Sequence, residues 1–296
     1  MELRVLQYFL MVAREENITR AAELLHITQP TLSRQLMQLE EELGVTLFHR
    51  GKRRITLTAD GMLLRRRAEE LVSLAEKTVT ELSRSDNVLS GTVAIGSGEY
   101  RSTSFLATLI QDFQQAHPQV QFQIYSGTAD NIQERIAHGL LDLGLLQEPV
   151  DISRYSFVRL PVQEEWGAYI PIDHPLAEKS VVTPQELAAQ PLFWPERASI
   201  RHELENWFGS YANDLTIIGS GNLIYNQAVI AAKSGAIVVA IALDCHYDGL
   251  RFVPFSPPLR SPTVLAWKKA QVFSDASEAF IAHIKQYTSS MMNDQT

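Results

Sequence analysis

Two short amphipathic helices joined by a tight turn are predicted between residues 19 and 44, and this pair constrains the fold more than any other feature. Apolar residues at spacings of three and four form one stripe along the second helix: Leu32, Leu36, Leu39 and Leu43. Thr28 is placed to cap its start, and Pro30 lies in the first turn, where a missing N–H costs nothing. Gly44 ends the helix. The arrangement predicts a helix-turn-helix, a motif whose second helix presents its N-terminal side chains to base edges in the major groove of DNA.

The first helix of the pair and the segment before it complete a small apolar core. An opening helix carries apolar residues on one face: Leu3, Leu6, Phe9, Leu10 and Ala13. Thr19 is the expected N-cap of the short helix that follows, and Ala21 and Ala22 are small enough to let another helix cross closely. His26 and Ile27 form the expected turn.

Polar side chains occupy the start of the second helix of the pair. With its leucines turned inward, the residues left at that end are the predicted DNA contacts: Gln29, Pro30, Thr31, Ser33 and Arg34. Arg34 can hold guanine O6 and N7 in a bidentate fork, and Gln29 can do the same for adenine. The hydroxyl groups can reach bases or phosphates.

A basic turn follows this helical segment. Ile55 and Leu57 alternate with basic or hydroxyl residues after a glycine, which predicts a two-stranded wing. The positive charge of the wing would lie on DNA phosphates and comes from four residues: Arg50, Lys52, Arg53 and Arg54. Residues 1–58 are therefore predicted to form a winged helix-turn-helix DNA-binding domain.

The net charge of −8 by itself argues against a nucleic-acid partner, but the charge is unevenly distributed along the chain. Residues 1–90 hold 13 basic and 13 acidic residues, whereas residues 91–296 hold 13 and 21. Within residues 29–67, 8 basic residues stand against 4 acidic ones. A local basic surface on an acidic protein suits a dedicated polyanion-binding module. On charge alone, a solvated charged surface is the alternative.

A long series of residues in this segment matches one known pattern. It runs through Ala21-Ala22-x-Leu24-x-x-Ile27-Thr28-Gln29-Pro30-Thr31-Leu32-Ser33-Arg34-Gln35 and continues as Leu39-Glu40-x-x-Leu43-Gly44-x-x-Leu47-Phe48-x-Arg50. The series resembles the DNA-binding domain of LysR-type transcriptional regulators. One position departs from that family, which has Ala-Gly shortly after Leu-Thr, because Asp60 precedes Gly61 here. The resemblance implies a homodimer or homotetramer that binds an inverted-repeat operator in double-stranded DNA and alters access of RNA polymerase.

A long helix is predicted over residues 59–86, because the segment has no proline and only one early glycine. Residues at alternating steps of four and three form the a/d seam of a coiled coil: Leu64, Ala68, Leu71, Ala75, Thr78 and Leu82. Two chains are expected to pair along this linker and dimerisation helix. Packing of the stripe on its own domain is the alternative, since Ala and Thr make a thin interface. Residues 87–91 break the periodicity and are predicted to be a hinge.

From residue 92 the pattern changes to alternating strands and helices. Buried strands are predicted at 93–96, 120–125 and 143–146, with amphipathic helices between them, and a similar set recurs at 192–242. Each set is typical of half of a parallel α/β sheet. Two α/β lobes are therefore expected.

Two strands are predicted to cross between these lobes, Glu165–Ile170 and Thr263–Trp267, and the last helix, Ala279–Tyr287, to return to the first lobe. The predicted fold is an α/β clamp like a periplasmic-binding protein, and the family resemblance also implies it. The expected effector-binding domain is 92–296, with a first lobe at 92–163 and 268–296 and a second lobe at 164–267.

Clamps of this kind hold ligands in the loops at the carboxyl ends of their strands. Glycines, hydroxyls and helix N-termini in those loops suit a small polar metabolite as effector. The expected effector contacts are Ser97, Gly98, Glu99, Tyr100, Ser102, Thr128, Trp194, Arg197 and Asn222. The alternative is that these glycines and serines only turn a strand into a helix and cap it. Glu99 would repel an anion unless an arginine offsets it, so the charge of the ligand stays open.

Other classes of protein fit the sequence less well. Gly96-Ser97-Gly98 and Gly219-Ser220-Gly221 are not nucleophile elbows, so neither predicts a catalytic serine. The side chains of Cys245 and His246 would point apart on a strand end, which favours a structural role. No catalytic residue is predicted, and the chain is not expected to be an enzyme.

Cofactors, metals and membranes are not expected either. The histidines show no metal-ligand spacing, and there is no phosphate-binding Gly-x-x-x-x-Gly-Lys. A stand-alone solute-binding protein would leave residues 1–84 without a role. No apolar run is long enough to cross a bilayer and no signal peptide is recognised, so a cytoplasmic location is expected. The sequence thus predicts a sequence-specific transcription regulator controlled by an effector bound between two lobes.

Overall fold

The computed structural model describes residues 1–51, 55–82 and 88–293. The chain divides into two compact units, Met1–Arg84 and Ser85–Thr296. The described elements of the first unit are α1 (Leu3–Glu15), α2 (Ile18–Leu24), α3 (Gln29–Leu43), β1 (Phe48–Arg50), β2 (Ile55–Leu57) and α4 (Ala59–Leu82). This order is the winged helix-turn-helix that the sequence predicts.

The apolar faces of these helices meet in one core. Phe9 of α1, Leu36 of α3 and Phe48 of β1 are all buried, and the rings of Phe9 and Phe48 lie 5.2 Å apart. Ala21 and Ala22 of α2 are buried in the same core, as their small size predicts. Burial of these apolar side chains holds the helices together.

The ends of α3 are where the sequence places them. Thr28 is the N-cap in an extended conformation, and Gly44 closes the helix at a φ of 67°, in the left-handed region that favours glycine. Gly61 lies at the start of α4, where a Cβ atom would stand 2.1 Å from the carbonyl oxygen of Leu47. Only glycine fits at position 61. The chain differs from the family pattern at Asp60 but keeps this glycine.

The predicted cap of α2 is wrong. The helix begins at Ile18, two residues earlier than a Thr19 cap allows, and Asn17 is its N-cap. The side-chain oxygen of Asn17 accepts a hydrogen bond of 3.1 Å from the backbone N–H of Arg20. Asparagine and threonine both cap helices well, so the sequence alone did not separate them.

The second unit consists of two lobes and two strands that cross between them. The first lobe holds β3 (Gly91–Ser97), α5 (Thr103–Ala116), β4 (Val120–Ser126), α6 (Ala129–Ala137), β5 (Leu143–Gln147) and α10 (Asp275–Asn293). The second lobe holds α7 (Pro184–Ala188), β7 (Pro191–Pro195), α8 (Ala198–Phe208), β8 (Thr216–Gly221), α9 (Ile224–Ser234), β9 (Ile237–Ile241) and β10 (Leu250–Pro254). The crossing strands are β6 (Tyr155–Pro171) and β11 (Arg260–Lys268), and 3-10 helices lie at Pro175–Glu178 and Gly209–Asp214.

One continuous order of strands, β4-β3-β5-β11-β6-β9-β7-β8, links the lobes, and β10 pairs with β6. Strand β3 is parallel to β4 and β5, and β7 is parallel to β8 and β9. Strand β6 pairs with β11 along its first part and with β9 and β10 along its last part, always antiparallel. The two predicted crossover strands are therefore confirmed.

The last helix returns to the first lobe, as predicted. Phe280 and Ile284 of α10 are fully buried in one apolar cluster with Val93 of β3 and Leu109 of α5. The core of the second lobe is a separate cluster that includes Leu192. Each lobe thus has its own core, with β6 and β11 as the connection.

Some elements differ from the sequence expectation. Strand β10 and helix α7 were not predicted from the sequence. The helix predicted from the apolar spacing of Ile132, Ile136 and Leu140 is α6, which ends at Ala137, so Leu140 lies beyond it. The predicted hinge at 87–91 overlaps β3, because Gly91 already pairs with Val120 of β4. In the described part of the chain, no helix is long and apolar enough to cross a membrane.

Candidate DNA-reading surface and effector cavity

The start of α3 presents polar side chains away from the core of the first unit. The predicted DNA contacts on this helix are exposed, with Ser33 only partly so: Gln29, Pro30, Thr31, Ser33 and Arg34. The opposite face is buried: Leu32, Leu36 and Leu39. The first turn of α3 contains no acidic residue, so its backbone N–H groups give a positive helix end. This end can meet both base edges and phosphates.

The wing is held beside α3 by a carboxylate. Glu40 of α3 accepts a 2.7 Å hydrogen bond from the backbone N–H of Leu47, just before the β1–β2 hairpin. In that hairpin Arg50 is opposite Ile55. The side chain of Arg50 lies outside the described residues, and so do three whole residues: Lys52, Arg53 and Arg54. Their contacts with DNA stay predictions.

Helix α4 carries apolar residues on two faces. Ala68 is fully buried in the core of the first unit, and Leu64 and Val72 pack beside it. The predicted pairing seam is therefore wrong at Ala68, because a/d spacing also suits packing within one chain. Leu71 is 43% exposed and Leu74 is 38% exposed, so a second apolar face is left free.

A cavity of about 490 Å³ lies in the second unit, and both lobes line it. Its walls come from the loop after β3, the start of α6, the β7–α8 loop and the β8–α9 loop. These loops follow the carboxyl ends of parallel strands, where the sequence predicts a ligand. The volume suits a small metabolite.

Most of the predicted effector contacts line this cavity. They are Gly98, Glu99, Tyr100, Thr128, Arg197 and Asn222. They come from four separate loops, so only the folded clamp brings them together. Their contact with an effector stays a prediction.

Three predicted contacts lie elsewhere, and the structure corrects them. Ser97 is buried and donates a 2.8 Å hydrogen bond to the carbonyl oxygen of Gly98. Ser102 is fully buried, and its N–H donates to Glu164 at 3.0 Å, at the start of α5. Trp194 is buried in the core of the second lobe, with its ring 5.6 Å from that of Phe208. These three residues therefore lie outside the lining of the cavity.

Arg197 connects the two lobes across the cavity. Its guanidinium donates hydrogen bonds to the carbonyl oxygens of Gln147 at 3.0 Å and Pro149 at 2.7 Å, both in the first lobe. Asp130 lies 3.9 Å from its Nε atom. The arginine side chain is 15% exposed, so these contacts are largely shielded from water.

Glu99 makes a second connection between the lobes. Its Oε2 atom accepts a hydrogen bond from the backbone N–H of Ile224, the first residue of α9. A carboxylate at a helix N-terminus is stabilised by the helix dipole. The Glu99 carboxylate, whose charge left the nature of the ligand open, therefore accepts a hydrogen bond from a helix N-terminus in the opposite lobe.

Further polar groups of the cavity are buried. Burial raises the pKa of Tyr100 to about 12, against the opposing effect of the Arg197 guanidinium, so the phenol keeps its proton. Gln147 Nε2 and Gln227 Oε1 are buried without a hydrogen-bond partner in the described part of the chain. Buried polar groups are costly to leave unpaired, which is typical of a site that awaits a ligand or water.

The sequence analysis missed Gln147, Trp166, Gln227 and Asp130, which also line the cavity. Gln147 ends β5, so the rule that found the other loops could have found it. Asp130 lies in the first turn of α6, next to the predicted Thr128. Trp166 and Gln227 carry no such signal, because β6 and α9 place them through tertiary packing.

Comparison with protein families identifies both units. A family model described as LysR substrate binding domain matches residues 86–289, and one described as bacterial regulatory helix-turn-helix protein, lysR family, matches residues 3–62. The chain belongs to the LysR family of transcriptional regulators. Its first unit is the family's DNA-binding domain and its second is the effector-binding domain.

Curated relatives in the LysR family match along the whole chain. The Hca operon transcriptional activator HcaR of Escherichia coli (strain K12) is 28% identical over 98% of this chain and 99% of its own length. The uncharacterized HTH-type transcriptional regulator YybE of Bacillus subtilis (strain 168) is 29% identical over 99% of this chain and 100% of its own. Both similarities extend over nearly the full length of each chain.

Solved structures of LysR regulators have the same fold. The crystal structure of CbnR, a LysR family transcriptional regulator, gives a TM-score of 0.76 at 20% identity and covers 97% of this chain and 99% of its own. Full-length CbnR complexed with its target DNA gives 0.74, also at 20% identity, with the same coverage. At this identity the similarity shows the fold alone.

Proposed function

We propose that this LysR regulator reads an inverted-repeat operator with the exposed start of α3. One observation carries the proposal: Gln29, Thr31 and Arg34 are exposed on the face of α3 opposite its buried leucines. Side chains at the start of a recognition helix are the ones that reach base edges in the major groove. The DNA complex of CbnR supports this use of the fold.

The wing supplies contacts that do not depend on sequence. Arg50, Lys52, Arg53 and Arg54 carry the positive charge of the predicted wing and would neutralise phosphates beside the groove. Phosphate contacts set the register of the protein on DNA, whereas base contacts set the sequence. The two sets of residues therefore have different expected roles.

Two copies of the chain would bind the two half-sites of the operator. Leu71 and Leu74 form an exposed apolar face on α4 that a second copy can cover. A different apolar surface lies on α9 and β8, where Tyr225, Val229 and Ile217 are each about half exposed. Two such surfaces support a homodimer that pairs further into a homotetramer.

The second unit would hold a small polar metabolite between its lobes. Arg197 and Glu99 already join the lobes, so a ligand at their position would change how the lobes meet. That change would reach the DNA-bound dimer, alter DNA bending and thereby alter access of RNA polymerase. The site of action would be the cytoplasm, where the DNA is.

Selection from genomic DNA tests the proposal. Full-length protein is incubated with sheared DNA from its source organism, and bound fragments are sequenced. The expected result is a small set of enriched fragments that share an inverted repeat with half-sites about one helical turn apart. Enrichment no better than that of random DNA would overturn the proposal.

A further inference from the structure

We infer that the cavity selects a compact molecule with at least one cationic group, such as an organic amine, over a purely anionic one. The inference rests on the proposed function of the cavity as the effector site. It concerns a property that the family fold does not fix, the charge of the ligand. Three observations carry it: the charges of the lining, the helix ends around the cavity and its unpaired polar groups.

The lining is rich in carboxylates. Among the described residues, the charged side chains that line the cavity are Glu99, Asp130, Glu196 and Arg197. Arg197 uses two of its N–H donors on the carbonyl oxygens of Gln147 and Pro149. Glu99 is partly buried, whereas Glu196 and Asp130 are exposed, with the Asp130 side chain 75% exposed. Three carboxylates against one guanidinium make the potential at the cavity negative, which favours cations.

Helix N-termini are the other places where an anion could bind. At most of those around the cavity, a side chain of the protein already accepts hydrogen bonds from the backbone N–H groups. Glu99 accepts the first N–H of α9. Glu164 accepts the N–H groups of Arg101 and Ser102 at the start of α5, at 2.9 and 3.0 Å. Thr128 accepts the N–H of Asn131 in α6 at 3.3 Å. A ligand carboxylate would have to displace one of these groups.

The start of α8 is the exception. Arg197 is its N-cap and makes no side-chain capping bond, so a carboxylate could bind there next to the guanidinium. Asp130 stands 3.9 Å from the same guanidinium and opposes a second negative charge. The N-terminus of α8 is therefore the place where an anionic ligand could bind instead. The experiment must measure binding at this place separately.

Two of the unpaired groups fit a hydrogen-bond donor, whereas Gln147 Nε2 and Arg197 Nε are buried donors without a partner among the described residues and suit an acceptor on the same ligand. Oε1 of Glu99 has no hydrogen-bond partner in the described part of the chain, because only Oε2 reaches α9. Oε1 of Gln227 is a buried acceptor without a partner. An ammonium group can donate to both types of oxygen. The rings of Trp166 and Tyr100 also line the cavity and can attract a cation through their π faces.

The test compares probes with a four-carbon chain and different charge on the full-length protein. 1,4-Diaminobutane and agmatine are the cationic probes, succinate is the anionic probe, and 1,4-butanediol is the neutral one, all at constant ionic strength. Ligands that bind only the native state raise the unfolding temperature, and the stabilisation grows with the logarithm of one plus the ratio of ligand concentration to Kd. We expect a rise of about 2 °C or more at about 5 mM for a cationic probe, and none for succinate or butanediol.

Variants then locate the charge that matters. Glu99→Gln should weaken amine binding about tenfold, since it removes a charge-assisted contact, and Glu196→Gln should weaken it less, because Glu196 is exposed. Glu134→Gln makes the same change of charge at an exposed site on α6 outside the lining and should leave the affinity unchanged. If Glu99→Gln is less stable without ligand, Glu196→Gln still provides the comparison, because its side chain makes no hydrogen bond to the described residues.

Three results would overturn the inference. They are a rise with succinate that is lost in Arg197→Met, amine binding that is unchanged in both glutamate variants, and no rise with either amine. The DNA selection described above contains none of these probes. Failure of the selection would therefore overturn the proposed function and leave the amine result intact, and the reverse also holds.

Discussion

Arg197 donates a hydrogen bond of 2.7 Å to the carbonyl oxygen of Pro149, and this bond ties the second lobe of the effector domain to the first. A further bond of 3.0 Å reaches the carbonyl oxygen of Gln147. Both acceptors are backbone atoms, so the connection depends on the arginine alone. In this structure the Arg197 side chain lines the cavity and bridges the two lobes.

Arg197→Met should lower the free energy of unfolding by about 2 kcal/mol, because two carbonyl oxygens lose a charged donor. Arg201→Met is the matched control, since Arg201 is exposed on the same helix. Urea unfolding of the full chain, followed by circular dichroism, gives both values. Equal losses in the two variants would show that the bonds to Pro149 and Gln147 contribute nothing.

Glu164→Ala should destabilise the first lobe by about 2–4 kcal/mol, because the buried N–H of Ser102 and the partly buried N–H of Arg101 lose their acceptor. Glu165→Ala removes the neighbouring carboxylate, which is only partly buried, and serves as the control. Hydrogen exchange at the start of α5 measures the effect locally. Unchanged protection of the Ser102 amide in Glu164→Ala would contradict the assigned role.

The two faces of α4 should respond differently to substitution. Leu71→Asp places a charge on the exposed face and should yield monomers, with the buried core of the first unit left intact. Ala68→Leu overfills the core and should cost about 1–3 kcal/mol without changing the assembly. Analytical ultracentrifugation and thermal unfolding separate the two. A dimer that survives Leu71→Asp would place the contact between copies elsewhere.

The stability of the effector domain should fall in mild acid because of His283. Burial lowers the pKa of this imidazole, although Asp112 nearby acts in the opposite direction. The unfolded chain therefore takes up a proton at a higher pH than the folded chain, and stability is lost as the pH falls below about 6.5. His283→Gln should flatten this dependence in urea unfolding, and His246→Gln, an exposed control, should not. Parallel pH profiles for the wild type and His283→Gln would refute the assignment.

Periodicity predicted the elements that carry the function. The leucine stripe fixes which face of α3 is buried, and the caps at Thr28 and Gly44 fix where the helix begins and ends. The two crossover strands were predicted because each is an apolar segment that lies outside the two sets of alternating strands and helices. In these places the local signal and the tertiary structure require the same residues.

Loop direction was the part that the sequence could not provide. Ser97, Gly98, Glu99 and Tyr100 are consecutive, yet Ser97 is buried while the other three line the cavity. Ser97 is the last residue of β3 and is paired within the sheet, whereas the three residues after it belong to the loop. No period in the sequence marks where the strand ends, so the direction of these side chains depends on the tertiary packing. The seam of α4 failed at Ala68 for a related reason, because one stripe can pack within a chain or between chains.

Arg34→Ala gives the most direct test of the central claim, that the start of α3 reads the operator. Binding of the wild type, Arg34→Ala and Arg4→Ala is measured by fluorescence anisotropy on a selected operator and on a random duplex of the same length. Arg4 is an exposed arginine of α1 and is the control. The account predicts that Arg34→Ala loses about 1–3 kcal/mol of binding free energy on the operator and much less on the random duplex. Equal loss on both duplexes, or no loss on the operator, would contradict it.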